Sequence, residues 1–371
     1  DAVDVVEAAL DSEIVQALAL HFYPQAVEMV PIEEFRELLE FGEGERDYNK
    51  SLFIGDLYNL MGIARTAINA GAISYVFGEE QSLPEVVYIN SLIDQIFALN
   101  VINGREALFA QVGFDMLGIE GDLEAVDYVE EKEVIKDVLE LIRQTLIDNG
   151  YETIDKIKDL VSNVSLDILT EEIAYDALDI VDRLIDSTLV KYIAAHYYSY
   201  AIDTFANIDG LYELLVFGEG ERDYKEELFY EDLEQIVVIA RQALDMGAFE
   251  AYKEKDWTIA SSTAINTLID MIFDLNLLAG REDLFLAYGF DKLGVEYDVT
   301  SIDYDAEILV IENVITQACE LLRNKELYKV SEVIDVVTSG EYTKRSFLTD
   351  QLALDAVDVV EAALDSEIVQ A

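Results

Sequence analysis

Apolar residues fall at steps of three and four along almost the whole chain. In the opening stretch, DAVDVVEAALDSEIVQA, the residues Val3, Val6, Ala9, Leu10, Ile14 and Ala17 form such a stripe among acidic positions. That period gathers apolar side chains on one face of an α-helix. Ser51, Ser165 and Thr170 stand before apolar runs as candidate N-caps. Gly42, Gly71, Gly118, Gly150, Gly218, Gly247 and Gly294 follow such runs as stops. Pro31, with Glu33 and Glu34 behind it, reads as a first-turn proline with acids at the positive end of a helix. Alternation with a period of two is nearly absent. Only Val86–Ile89 suggests a short extended piece, and its counterpart Ser262–Ile265 is not rich in β-formers. The expected fold class is all-α, with roughly seven to ten helices in each half joined by short loops.

The same pattern returns at long range. Asp1–Ala17 and Asp355–Ala371 are identical at every position, and a diverged copy, DALDIVDRLIDSTLV, runs from Asp176 to Val190. FGEGERDY occurs as Phe41–Tyr48 and again as Phe217–Tyr224. INSLIDQIFALNVINGREALFAQVGFDMLG, Ile89–Gly118, returns as INTLIDMIFDLNLLAGREDLFLAYGFDKLG, Ile265–Gly294. These matches predict two homologous helical modules, residues 1–175 and 176–354, followed by residues 355–371 as the first helix of a next repeat. Arg65-x-x-Ile68-x-x-Gly71 resembles Arg143-x-x-Leu146 before Gly150, a weaker sign of duplication within each half. No Pro-, Gly- or Ser-rich linker separates the halves. The junction Thr170–Val190 reads as continuous helix, so the modules are expected to dock end to end rather than swing on a tether. The chain reads as one period of a longer tandem array.

Composition narrows the setting. Hydrophobic residues make up 52% of the 371 positions, with 21 Tyr and 16 Phe, which is ample for packed cores. Asp and Glu number 77 against 24 Lys and Arg, a net charge of −53. Such a chain has no basic face for nucleic acid or an anionic membrane surface. Its self-repulsion calls for high ionic strength or bound divalent cations. An extracellular or cell-surface location rich in calcium is one such setting, and the cytoplasm of a halophile is the other. No apolar run reaches the roughly 18 residues that suggest a membrane span. Cys319 is the only cysteine, so neither an intramolecular disulfide nor a cysteine-based zinc site can form. Asn49-Lys50-Ser51 and Asn163-Val164-Ser165 fit the N-glycosylation triplet, a pattern that chance produces often.

Candidate chemistry is sparse. Glu43, Glu45 and Asp47 alternate around Gly44, and Glu219, Glu221 and Asp223 repeat them around Gly220. Three carboxylates so spaced can offer oxygens to a hard cation such as Ca²⁺. The loop lacks the closing acid of an EF-hand and holds Arg46, so the plainer reading is a capped turn with a paired arginine. His21 and His196, in HFYPQA and HYYSYA, are the only histidines. With no partner at motif spacing, they read as imidazoles within the aromatic cluster of Phe22, Tyr23, Tyr197 and Tyr198 rather than as ligands or bases. In GREALF and GREDLF the arginines, Arg105 and Arg281, stand at a helix start beside an acid, which favours an Arg–carboxylate pair over a phosphate site. Tyr192, Tyr197, Tyr198, Tyr200 and Tyr212 suit core packing, an apolar cavity or an adhesive face. There is no G-x-S-x-G, H-E-x-x-H, P-loop, G-x-G-x-x-G or C-x-x-C.

The sequence therefore predicts a non-enzymatic structural repeat of a long surface or extracellular fibre or filament. It would assemble with itself head to tail through the repeated terminal helix, as a covalent tandem repeat or as a homopolymer. A binding module for lipid or another apolar ligand is the second reading, and a halophilic enzyme of unknown reaction the third.

Overall fold

The computed structural model of the chain describes residues 2–78, 80–162, 169–205, 210–339 and 349–371. Helix makes up 72% of the described residues, and they contain no strand. Two isolated bridges, Ser82 to Thr153 and Thr258 to Lys329, are the only β pairings among them. Val86–Ile89 lies inside a helix, not in an extended segment. The fold is all-α.

Residues Asp1–Ile168 with Arg183–His196 form one compact unit, and Leu169–Asp182 with Tyr197–Ala371 form a second. The helices run α1 Ala2–Leu10, α2 Glu13–Val27, α3 Glu33–Leu39, α4 Lys50–Asn69, α5 Ala72–Val76, α6 Val86–Phe97, α7 Glu106–Leu117, α8 Tyr128–Asp148, α9 Ile154–Ser162, α10 Glu171–Leu184 and α11 Thr188–Phe205. They continue as α12 Leu211–Leu215, α13 Glu226–Asp245, α14 Ala248–Glu254, α15 Ser262–Phe273, α16 Glu282–Leu293, α17 Tyr304–Asn324, α18 Val330–Ser339, α19 Asp350–Leu364 and α20 Glu367–Gln370. In the first unit α4 packs on α1 and α6, α6 on α8, and α3 on α7. In the second, α13 packs on α15, α15 and α19 on α17, and α12 on α16.

Local chemistry sets the helix ends. Asn49 caps α4, its side-chain oxygen accepting from Ser51 N at 3.0 Å and Leu52 N at 3.1 Å. Ser51 itself is therefore not the cap. Thr170 Oγ1 accepts from Ile173 N at 3.1 Å, as expected of a cap, and Ser165 lies outside the described residues. Pro31 stands two residues before α3, while Pro24 sits within α2. The junction expected as one helix is two, α10 and α11, broken at Ile185–Ser187. The same Asp-Ser pair breaks α1 from α2 and α19 from α20.

Each unit holds an aromatic centre tied to one buried carboxylate. Tyr23 stacks on Phe41 with ring centroids 4.7 Å apart and lies 4.3 Å from Phe53. Tyr48 donates to Asp56 Oδ2 at 2.8 Å, and Asp56 also accepts from Asn100 N at 2.6 Å and Val101 N at 2.9 Å. In the second unit Tyr198 stacks on Phe217 at 5.0 Å, and Tyr224 donates to Asp232 Oδ2 at 2.7 Å. Asp232 accepts likewise from Asn276 N and Leu277 N, and is 1% exposed. A carboxylate this deep is tolerated because its oxygens are satisfied.

The two FGEGERDY loops close over these centres. Gly42 N donates to Tyr48 O at 2.9 Å, and Gly44 N donates to Asp47 Oδ2 at 2.6 Å. A Cβ on Gly42 would come within 2.2 Å of Asp47 Oδ2, so the glycine serves close approach and not a left-handed backbone. Arg105, at the start of α7, is buried and donates to Arg46 O at 2.7 Å, Leu38 O at 2.8 Å and Val101 O at 2.9 Å. Arg281 binds Arg222 O, Leu214 O and Leu277 O in the same way. The expected Arg–carboxylate pair is thus an arginine pinning three backbone carbonyls. Burial pushes both guanidinium groups down, with Asp47 and Asp223 acting in the opposite sense.

Candidate functional site

A second buried carboxylate in each unit marks where the repeated segment seats. Glu131, in the first turn of α8, is 6% exposed. Ser187 donates its hydroxyl to Glu131 Oε2 at 2.5 Å, and Thr188 N donates to Oε1 at 2.7 Å. Leu189 N approaches the same oxygen at 3.3 Å, while Ser187 Oγ accepts from Val190 N at 3.0 Å. The N-terminus of α11 has N–H groups that no turn of its own helix can satisfy, and a negative charge is favoured there. One serine and one glutamate satisfy three of them.

Apolar packing surrounds this cap. Phe114, Ile119, Leu123 and Val126 form a buried cluster, and Leu189, Tyr192 and Ile193 pack against it. The Phe114 and Tyr192 rings meet edge to face at 6.3 Å. A side chain at Gly121 would come within 2.6 Å of the Tyr192 ring, so the tyrosine rests on bare backbone. Arg183 reaches Asp137 at 2.8 Å and Asp186 at 2.5 Å on the rim.

The second unit contains the same arrangement around the trailing segment. Glu307 is 4% exposed. Ser366 donates to Glu307 Oε2 at 2.6 Å, and Glu367 N donates to Oε1 at 2.6 Å. Phe290, Val299 and Ile302 form the buried cluster, with Ile368 packed on it. Tyr128 and Tyr304 brace the two clusters by donating to Leu123 O at 3.0 Å and Val299 O at 2.9 Å. Burial raises both phenols to about 12.

The leading copy differs. Ser12 is exposed and makes no capping hydrogen bond. Ile14 is 73% exposed and Leu18 52%. The other face of this copy is engaged: Arg65 on α4 binds Asp4 at 2.6 Å and also Glu7 on α1. Arg241 on α13 meets Asp179 at 2.5 Å and Asp182 at 3.7 Å on α10. Asp358 and Glu361, the matching acids of the trailing copy, are exposed and have no ion pair among the described residues.

The sequence-predicted cation residues fall elsewhere. Glu43, Glu45, Asp47, Glu219, Glu221 and Asp223 are all exposed. Asp47 and Asp223 turn their carboxylates inward to Gly44 N and Gly220 N. Arg46 leaves the loop for Glu124 at 2.8 Å, and Arg222 pairs with Asp283. Among the described residues no group of three or more His, Cys, Asp or Glu is placed to hold a metal ion. His21 is exposed with its ring against Phe22, not interior, and His196 is half-buried on α11. The tyrosines divide: Tyr192 joins the first unit's cluster and Tyr198 the second unit's aromatic centre, while Tyr197 and Tyr200 are exposed. Tyr212 donates to Asp203 at 2.8 Å.

The first unit also holds an apolar cavity of about 310 Å³, lined by Tyr23, Val27, Leu39, Phe53, Leu60 and Leu99. No described helix is long and apolar enough to cross a membrane. Compared with known proteins, the chain matches no family model, no curated protein and no solved structure.

Proposed function

We propose that this chain is a stretch of a tandem helical array with a structural, non-enzymatic role, a building unit of a long surface or extracellular fibre. In this reading residues 1–175 and 176–354 are successive modules, and residues 355–371 open the next. The repeated segment is the coupling element. Its first helix binds the arginine of the module it begins, and its Asp-Ser turn seats on the buried glutamate of the module before. The observation that carries the reading is the paired seating of Ser187 on Glu131 and Ser366 on Glu307. A face completed by the following repeat propagates in one direction, which yields an open array. The net charge of −53 keeps such arrays apart in solution, with Ca²⁺ or other cations acting as counter-ions.

Electron microscopy of chains built from one, two and four copies of the 1–354 period tests this. Rods of constant width whose length grows in proportion to copy number are expected. Separate beads at variable spacing would refute it.

The cavity beside Tyr23 supports a second reading, a module that holds an apolar ligand. Its volume is at the lower end of small-molecule sites, about 300 Å³ and upward. Native mass spectrometry of the folded chain would then show a bound lipid or other apolar compound, and a mass equal to that of the polypeptide would count against it.

A further inference from the structure

The sequence that occupies the Glu307 seat is present a second time, unseated. Asp355–Ala371 and Asp1–Ala17 are the same peptide. They also hold the same local shape. Ser366 has φ −75 and ψ 125, and Ser12 has φ −81 and ψ 121. Gln370 Nε2 donates to Leu364 O, and Gln16 Nε2 donates to Leu10 O at 2.7 Å. What the leading copy lacks is the surface that the trailing copy has: the Glu307 carboxylate on Ser366 and the Phe290, Val299 and Ile302 cluster under Ile368. In its place Ser12 has no capping bond, and Ile14 and Leu18 face solvent.

We infer that Ser12 and Ile14 form a docking surface for the closing end of another copy of this chain, the Glu307 seat, and that the chain's own tail holds that seat in cis. Chemical identity decides the occupant: a peptide preshaped like the seated one, with the same side chains, fits the same site. The cis tail sits at high effective concentration, so it outcompetes a second molecule by mass action. Separate copies consequently do not join through this seat while Ser366 and Ile368 fill it. This rests on the array reading for the order of modules alone, since docking of the identical peptide needs only the seat.

The test uses the full chain and three variants, followed by sedimentation over a range of protein concentrations. The parent chain is expected to stay monomeric. S366A/I368D weakens the cis tail, and its average mass is expected to rise with concentration beyond that of a dimer. S12A/I14D alone is expected to be monomeric, and adding it to S366A/I368D is expected to restore the monomer. Non-specific aggregation of a damaged chain would persist in the four-fold variant, which separates it from docking. A monomeric S366A/I368D chain, or association that survives S12A/I14D, overturns the inference. Rods from concatenated chains together with either of those results would leave the array reading standing without this docking surface.

Discussion

Ser12 and Ser366 lie in identical sequences and in opposite surroundings. Ser366 is 5% exposed and gives its hydroxyl to Glu307, whereas Ser12 is exposed and caps nothing. No residue of the segment explains the difference, because the two segments have none that differ. The burial of Ser366 is conferred by α17 and the turn before it. Seating is therefore a property of the surroundings of the segment and not of the segment itself. The intermediate copy makes the same point with altered side chains: Leu189 replaces Ile14 and Thr188 replaces Glu13, yet Ser187 is 3% exposed on Glu131.

The largest effect is expected from the seat itself. Glu131→Ala strands a buried serine hydroxyl and two helix N–H groups, and loss of about 3 kcal/mol is expected in chemical denaturation. Glu307→Ala should cost a similar amount. If either variant keeps parental stability, the carboxylate does not hold the segment. Next comes the apolar part. Leu189→Asp puts a charge against Phe114 and its neighbours and is expected to cost about 2–3 kcal/mol. Ile14→Asp, at the matching exposed position, should change stability by less than about 0.5 kcal/mol. Equal losses at both sites would erase the contrast between the copies.

A smaller pair isolates the cap. Ser187→Ala is expected to cost about 1 kcal/mol, the usual value of a helix N-cap, and Ser12→Ala a few tenths at most. The smallest effect at neutral pH concerns the aromatic centres, which should behave alike even though the seats do not. Burial raises Tyr23 and Tyr198 to about 12 from an ordinary value of 10.0. Tyr48 and Tyr224 are raised further, by burial and then by Asp56 and Asp232. A phenol raised on folding adds stability that is complete below its unfolded value and disappears as pH climbs through the folded one. Stability should thus be insensitive to these groups below about pH 10 and fall above it. Phenolate absorbance should report a late-titrating group from both units, and early titration in one unit alone would show that its centre is loosely packed.

Much of the fold was legible in the chain. Helical periodicity is a local signal, and it gave the all-α class. The Asp-Ser pairs inside the repeated segment hold neither glycine nor proline and so read as continuous helix, yet all three break it, the unseated Ser12 included. The GEGERD loops drew attention as cation candidates because their acids alternate around glycine. The glycines make room for Asp47 and Asp223, whose carboxylates accept from Gly44 N and Gly220 N. Beside Glu106 in the sequence, Arg105 reads as half of a carboxylate pair, whereas its partners are the carbonyls of Leu38, Arg46 and Val101. The seats at Glu131 and Glu307 were missed. Their signal was present, an acid four residues after Asp127 and Asp303 in both halves and a serine in every copy of the segment. In a chain with 77 acids, nothing local distinguishes these two from the rest.

Amide hydrogen exchange at Glu13 and Glu367 tests the seating most directly. These residues have the same sequence neighbours, so their intrinsic exchange rates match and any difference arises from structure. Glu367 N is bonded to the Glu307 carboxylate at 2.6 Å and is expected to be protected, while Glu13 N exchanges at close to the rate of an open chain. Equal exchange at the two positions would contradict the assignment of Glu307 as the group that receives the repeated segment.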